Sequence, residues 1–372
     1  ITMTSLIAEM GIALAKIVFV LALVFTFAVL LTWAERKEPA LMQDRLGANR
    51  APILGLRLWG LFHSIAETFK LIFKEDFVPP SGLQVIFRLA PVISLFPVLV
   101  TFAVIPFGNQ IEIAGRTILL QVLNLNVGIL FLLAFGSIAV YGIVLGGWAS
   151  NNKYSLLGGM RAVAQTVSYE VAIGLTIIGP VMVFGTLELG NMVRMQNHLL
   201  FGWLPMWGVV VQPLAFLVYL PAAIAETKRT PFDLPEGESE IIGFHLEYSG
   251  MRWGMFFLGE FIELVVLAGL MTTLFFGGYQ IPYLYDSFEM AQGGGFYFPW
   301  GATILLPDAW VVILRIVAFC VKIAFFLWLQ LLVRWTMPRF RYDQLMRVGW
   351  QMLIPLALVN IALTGIVLLA IH

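Results

Sequence analysis

Eight apolar runs, each long enough to cross a bilayer, limit what this chain can fold into more than any other feature. A spanning helix needs about 20 mostly apolar residues, and runs of that order lie at 12–33, 89–107, 127–148, 162–184, 206–225, 254–276, 309–333 and 352–371. They are apolar on every side, whereas strands of a membrane barrel alternate apolar and polar residues over about ten positions. The expected fold class is an all-α integral membrane protein, with eight transmembrane helices forming a single membrane domain over 1–372. Hydrophobic residues make up 60% of the chain and charged residues 12%. A soluble domain carries roughly 45–50% and 25%, so a soluble fold is excluded.

Loop charges test the span count, because Lys and Arg collect on the cytoplasmic side. Loops 34–88, 149–161, 226–253 and 334–351 hold seventeen of the twenty-two basic residues, the opposite face holds only Arg116 and Arg194, and Lys16, Arg315 and Lys322 lie inside apolar segments. A missed or invented span inverts every later loop and destroys this asymmetry. Both termini are therefore expected outside. The opening ITMTSLIAEMG has no basic region before its apolar run and no cleavage signature after it, and reads as a retained helix. With no import peptide in view, a multi-pass protein of a bacterial inner membrane with periplasmic termini is expected, the mitochondrial inner membrane being the alternative.

Several chemistries fall away. Zero net charge leaves no field to recruit nucleic acid. A single cysteine, Cys320, excludes an internal disulfide and any site needing several thiolates. His63, His198, His245 and His372 lie outside the spans, which excludes a bis-histidine haem, and no phosphate-binding or zinc-protease motif occurs. No redox centre is expected on this chain.

One segment is amphipathic. Apolar residues recur at Leu58, Leu61, Phe62, Ile65, Phe69, Ile72 and Phe73, with Arg57, His63, Glu67, Lys70 and Lys74 on other faces. This predicts a helix over 57–74 lying in the cytoplasmic interface and stopped by Pro79 and Pro80. It is either an anchor for the first two spans or a lateral gate for a lipid-soluble ligand.

Ionisable residues inside apolar spans are costly and point to function by default. Six are present: Lys16, Glu170, Glu260, Glu263, Arg315 and Lys322. Lys16 can snorkel and Arg315 lies near a span end, so both read as structural. Glu260 and Glu263 share one helical face, where repulsion and burial favour holding and exchanging a proton. The competing reading is that acids and bases of neighbouring helices neutralise one another and hold the bundle together. The loop over 226–253 is acidic on an otherwise basic side: Glu226, Asp233, Glu236, Glu238, Glu240 and Glu247 face only Lys228 and Arg229 across AETKRTPFDLPEGESEIIGFHLE. Its apolar content is too high for a solvated tail. It is expected to fold back against cations such as Arg36, Arg45, Arg161 and Arg334.

Six blocks then stand in order across nearly the whole chain: AERK at 34–37, ASNNKYSLLGGMRAVAQTVSYEV at 149–171, AETKRTPFDLPEGESE at 225–240, EYS at 247–249, FFLGEF at 256–261 and PRFRYDQLM at 338–346. Together they resemble the H-subunit family of respiratory complex I, the proton-translocating NADH-quinone oxidoreductase, whose mitochondrial homologue is NADH dehydrogenase subunit one. The resemblance implies a membrane subunit that forms part of the quinone chamber, takes ubiquinone or menaquinone as substrate, and is inactive alone. Iron–sulfur clusters and FMN would reside in partner subunits. The implied partners are the peripheral-arm quinone-module subunits, the adjacent small membrane subunits, the lipid bilayer and quinone. Carried over by position, Arg36, Arg45, Glu67 and Phe257 are chamber residues. Glu170, Glu226 and Glu260 belong to a proton-coupling chain, with Glu236, Glu238, Glu240 and Glu247 on the coupling loop.

The match departs at Ala48, where the family usually has proline, at Glu67, where aspartate is common, and at Glu263, an extra carboxylate placed in the chain by its position alone. The connector 277–307 is longer than expected, and is either an accessory contact or a surface insertion. Two alternatives carry different consequences: the equivalent subunit of a membrane-bound hydrogenase, and a stand-alone transporter or channel whose carboxylates and Lys322 bind ions.

Overall fold

The computed structural model describes residues 3–53, 55–113, 116–237, 243–290 and 293–371; Glu238 and Glu240 lie outside them. Its first half runs α1 (Met3–Met42), α2 (Phe62–Phe73), α3 (Gln84–Thr101), the hairpin β1 (Gln110–Ile113) and β2 (Arg116–Leu119), α4 (Gly128–Ala149) and α5 (Lys153–Phe184). A short α6 (Leu189–Met195), the hairpin β3 (Leu199–Leu200) and β4 (Leu204–Pro205), a turn of helix α7 (Gly208–Val211) and α8 (Pro213–Glu226) follow. The last part holds α9 (Gly250–Phe275), a sheet of β5 (Leu284–Tyr285), β6 (Gly295–Tyr297) and β7 (Thr303–Leu305), then α10 (Asp308–Thr336), α11 (Tyr342–Arg347) and α12 (Ile354–Ile371).

Among the described residues, 7 helical segments are long and apolar enough to cross a membrane: α1, α3, α4, α5, α9, α10 and the continuous α11–α12. The remaining apolar run is interrupted. Gln212 leaves helical geometry between α7 and α8, and Pro213, which has no N–H to donate, starts α8 afresh. At 14 residues, α8 is about 21 Å long, short of a hydrocarbon core of about 30 Å. The Gln212 side chain at the break is held by Asn360 (3.0 Å) and Thr364 (2.9 Å) of α12.

Helices overrun the apolar runs that announce them. α1 continues to Met42, so Glu35, Arg36 and Lys37 sit on its last turns; α5 starts at Lys153 and carries Arg161; α10 carries Arg334. Lys, Arg and Glu are good helix formers, so hydropathy ends before the helix does. The opposite correction applies to the amphipathic segment. Leu58 and Trp59 take positive φ (33° and 55°), so the chain turns there and regular helix begins only at Phe62.

α9 is the most enclosed span, packed by α1, α2, α3, α8 and α10, while α5 packs against α4, α8 and α12. Gly142 lets α4 approach the backbone of Ser94 in α3 so closely that a Cβ there would collide with it. At the bundle end opposite α2, the connector folds into the antiparallel sheet β5–β6–β7 with Leu284 paired to Phe296 and Gly295 to Leu305. Beneath it, buried Arg315 bonds Asp286 (2.7 Å), Glu289 (2.6 Å) and the Leu284 carbonyl (3.0 Å). The Lys322 ammonium donates to the carbonyls of Phe276, Gly278 and Gln280 at 2.7, 2.9 and 2.6 Å. Arg315 therefore pairs the connector's acids and Lys322 caps its backbone carbonyls, and both leave the carboxylates of neighbouring spans to others.

Arg315→Leu strands two carboxylates, an arrangement that typically costs about 3–5 kcal/mol. Thermal melting of the purified complex is expected to show a lowered midpoint for this subunit, partly restored when Asp286 is also made apolar; an unchanged midpoint for Arg315→Leu would contradict this account of the connector.

Candidate functional site

Three cavities meet at the end of the bundle where α1, α2 and the start of α9 converge. α2 is clamped to α1 by a hydrogen bond between the Ser64 and Thr32 hydroxyls (2.7 Å), and the turn into α9 is fixed by Tyr248 stacked on Phe87 (3.9 Å, 2°). Between these elements lies a mostly apolar cavity of about 440 Å³, bordered by Val29, Thr32, Arg36, Glu67, Trp253 and Phe257. Arg36 pairs with Glu67 across it. A more open pocket of about 520 Å³ shares Thr32, Arg36 and Phe257 and adds Glu35, Arg45 and Arg334. A third, of about 160 Å³, shares Phe257 and Trp253 but is lined by Lys228, Arg229, Asp233, Glu236, His245 and Glu260. Phe257 thus stands between an apolar space and a charged one, and Arg36, Arg45, Glu67 and Phe257 are all brought together.

The charged side is built on two adjacent buried cations at the C-terminal end of α8, where the helix dipole favours positive charge. Lys228 is 4% exposed and Arg229 8%. Lys228 bonds Glu263 at 3.0 Å. Arg229 reaches Glu35 of α1 at 3.3 Å and Glu260 of α9 at 3.9 Å, with its guanidinium 3.9 Å from the Phe261 ring centre. Arg334 of α10 pairs with the same Glu35. Burial disfavours a charge on Lys228, but Glu263 and Glu260 outweigh that and hold it protonated.

The loop after α8 is pressed onto α5. The Gln165 amide donates to the carbonyls of Ala225 (2.7 Å) and Phe232 (2.8 Å), Phe232 stacks on Phe340 (5.3 Å, 9°), and a Cβ at Gly158 would lie 2.8 Å from the Phe244 nitrogen. This brings Glu236 against His245 (3.4 Å) and within hydrogen-bonding reach of Glu260. A contact between two carboxyl groups needs one proton between them. Burial works against ionised Glu236, yet His245, the bond to Glu260 and Arg229 outweigh it and hold that carboxyl below the usual range. Asp233 behaves oppositely. Burial, then the charge of Glu236, push it up to about 7 against the pull of Arg339, bonded at 2.8 Å.

Beyond this pocket, Glu170, Glu226 and Glu263 line one crevice of about 30 Å³ between α3, α4, α5 and α9. Ser137 donates to Glu170, while one buried oxygen of Glu226 and the Tyr219 hydroxyl have no hydrogen-bond partner among the described residues. Three carboxyl groups and the neighbouring Lys228 can bind, share and pass protons. Glu247 is not part of this cluster; it accepts from Asn152 (2.7 Å) at the start of α5. Sequence reasoning missed Glu35, Lys228, Arg229 and His245 as site members, whereas Arg334, expected as a cation facing the loop, lines the charged pocket. The available signal was Lys228–Arg229 directly after an apolar run, with Thr230-Pro231-Phe232 giving them no solvated tail to sit on.

Since Asp233 binds its proton more tightly here than at the ordinary value of 3.8, the folded loop holds a proton the unfolded chain has lost. Its stability contribution therefore falls as pH rises from about 4 to 7 and is level above. Infrared titration of the complex is expected to show a protonated carboxyl fading across about pH 6–8 and missing in Asp233→Asn. A signal identical in both proteins would remove Asp233 as its source.

The NADH dehydrogenase family pattern matches residues 15–365. Similar proteins include the NADH-quinone oxidoreductase H subunit numbered 1 in Geobacter metallireducens, 45% identical over 368 residues, covering 99% of both chains. The H subunit numbered 2 in Geobacter sulfurreducens is 46% identical over 95% of this chain and 96% of its own. The H subunit of Bdellovibrio bacteriovorus is 39% identical over 95% of each.

Proposed function

The chain belongs to the NADH dehydrogenase family, as an H subunit of NADH-quinone oxidoreductase, and from that premise we propose that the cavities meeting at Phe257 are the membrane-side part of the quinone chamber. The carrying observation is that Phe257 borders both the apolar cavity and the charged pocket. A lipid-soluble substrate needs an apolar route beside an interfacial helix, and its headgroup needs a polar end. The cavity between α1, α2 and α9 suits the tail of ubiquinone or menaquinone. Arg36, Arg45 and Glu67 suit the entrance and headgroup region.

Reduction of quinone to quinol takes two electrons and two protons. The electrons come from an iron–sulfur cluster of a peripheral-arm partner; the protons come from carboxyl groups within reach of the chamber. Glu236, Glu260 and Asp233 are placed for this. When a proton leaves that group, the field at Arg229 and Lys228 changes, and Glu263, Glu226 and Glu170 respond in turn. Two charges about 4 Å apart interact by about 4 kcal/mol at an effective dielectric of 20, enough to move a proton along such a chain. Glu238, Glu240 and Glu247 join as members of the same coupling loop. Adjacent small membrane subunits receive the signal at the far side of the crevice.

In this reading 1–372 is one membrane domain, α7–α8 form the eighth, broken span, and α2 (within 57–74) lies in the cytoplasmic interface beside the loop 226–253. Both termini are periplasmic in a bacterial inner membrane. Irregular backbone at depth is tolerated where its polar groups are satisfied; at the break the Gln212 N–H still donates to the Gly208 carbonyl, while α12 holds the Gln212 side chain.

Two variants test the proposal in membrane vesicles. Arg36→Ala is expected to lower NADH:quinone activity about tenfold or more, a loss of ~1.4 kcal/mol or more, while NADH oxidation by ferricyanide persists; equal loss of both would mean failed assembly. Glu226→Gln is expected to lower quinone reduction and proton pumping together, and unchanged rates would remove Glu226 from the chain. Photoaffinity labelling by a quinone-site inhibitor is expected within residues 35–70 or 226–260. Label elsewhere would contradict the chamber.

A further inference from the structure

The connector over 277–307 contains only two charged residues, Asp286 and Glu289, and both are turned inward onto Arg315. What it turns outward is aromatic. Phe296 of β6 and Phe298 just after it, both half-buried, stack at 5.9 Å, and the exposed Trp300 stacks on Phe298 at 4.7 Å. The Tyr283 hydroxyl donates to the Trp203 carbonyl, joining the sheet to the β3–β4 hairpin, whose segment 196–206 has no Asp, Glu, Lys or Arg at all. The two together expose Phe201 (87%), Trp203 (60%) and Trp300 (73%), with Ile304 and Leu305 beside them. A connector facing bulk water or a polar partner would carry exposed charge to stay solvated or to fix register.

This rim continues directly into an apolar stripe. β7 ends three residues before α10, and on α10 Trp310, Ile313, Val317, Val321, Phe325 and Trp328 are all exposed. Their spacing of three and four residues puts them on one face. The stripe begins and ends with tryptophan, and it rises about 27 Å from the first to the last, close to the hydrocarbon thickness of about 30 Å. Tryptophan and tyrosine concentrate at the two membrane–water boundaries because their rings are amphipathic. The spacing matches that of a lipid-facing stripe, and no side chain along it offers a hydrogen bond to a neighbouring helix other than the two indoles at its ends.

We propose that the β3–β4 hairpin and the β5–β7 sheet form an aromatic rim seated in the lipid headgroup zone at the bundle end opposite α2, continuous with a lipid-facing side of α10. This face is then an outer flank of the assembled complex, and the long connector is a bilayer anchor. The inward pairing of Asp286 and Glu289 with Arg315 removes the connector's own charges from the outward face, leaving Asp308, bonded to the Ser287 hydroxyl at 2.9 Å, as the exposed carboxylate where the sheet meets α10.

The test uses the assembled complex in native membranes, with p-benzoylphenylalanine replacing Trp300, Ile304 or Val317 one at a time. Phospholipid adducts are expected on the peptides carrying 300 and 304, as on the stripe position 317. Ile304 reads the same surface if the position 300 variant fails to assemble. A crosslink to another polypeptide at 300 or 304, or unmodified peptide there while 317 takes up lipid, would overturn the proposal.

Discussion

A guanidinium taken out of water at the end of α8 sets the arrangement of everything around it. Burying an unpaired charge is prohibitive, and Arg229 meets that constraint with three partners: Glu35 from α1, Glu260 from α9 and the face of Phe261. Glu35 in turn holds Arg334 of α10. Four helices that share no sequence neighbourhood are thus tied at one level. Lys228, the preceding residue, repeats the device one helical turn deeper with Glu263.

The result is a gradient of chemistry along a short path. Apolar and aromatic walls lie on the α2 side of Phe257, paired charges on the other, and beyond them a narrow crevice with more carboxyl groups than cations. Acid pairs held close in a poorly hydrated space respond to one another's charge far more than they would in water. Under the proposed function, electrons need not travel through this chain for it to transmit the consequence of a redox event, because displacement of protons among fixed groups would suffice.

Much of this was legible in the sequence, and the parts that were not share a cause. Hydropathy located the spans, but stopped at Trp33 while α1 runs on to Met42, since a helix needs hydrogen bonds and not grease to continue. It also read 206–225 as one span, although Gln212 and Pro213 stood in it as visible warnings. The family resemblance named Arg36, Arg45, Glu67 and Phe257, which line two adjoining cavities. They could not tell that Glu247 turns to Asn152 while its loop neighbour Glu236 meets Glu260, because that depends on how Gly243 to Gly250 folds. Pairs such as Lys228 with Glu263 and Arg315 with Asp286 are separated by 35 and 29 positions, and only packing decides them.

A density map of the assembled complex with a quinone-site ligand bound tests the central claim most directly. The account predicts the ligand's headgroup beside Arg36 and Phe257, with ordered water and side chains linking it without a break through Glu260 and Lys228 to Glu226 and Glu170. A ligand seated elsewhere, or a dry apolar barrier between Glu260 and Glu263, would contradict it.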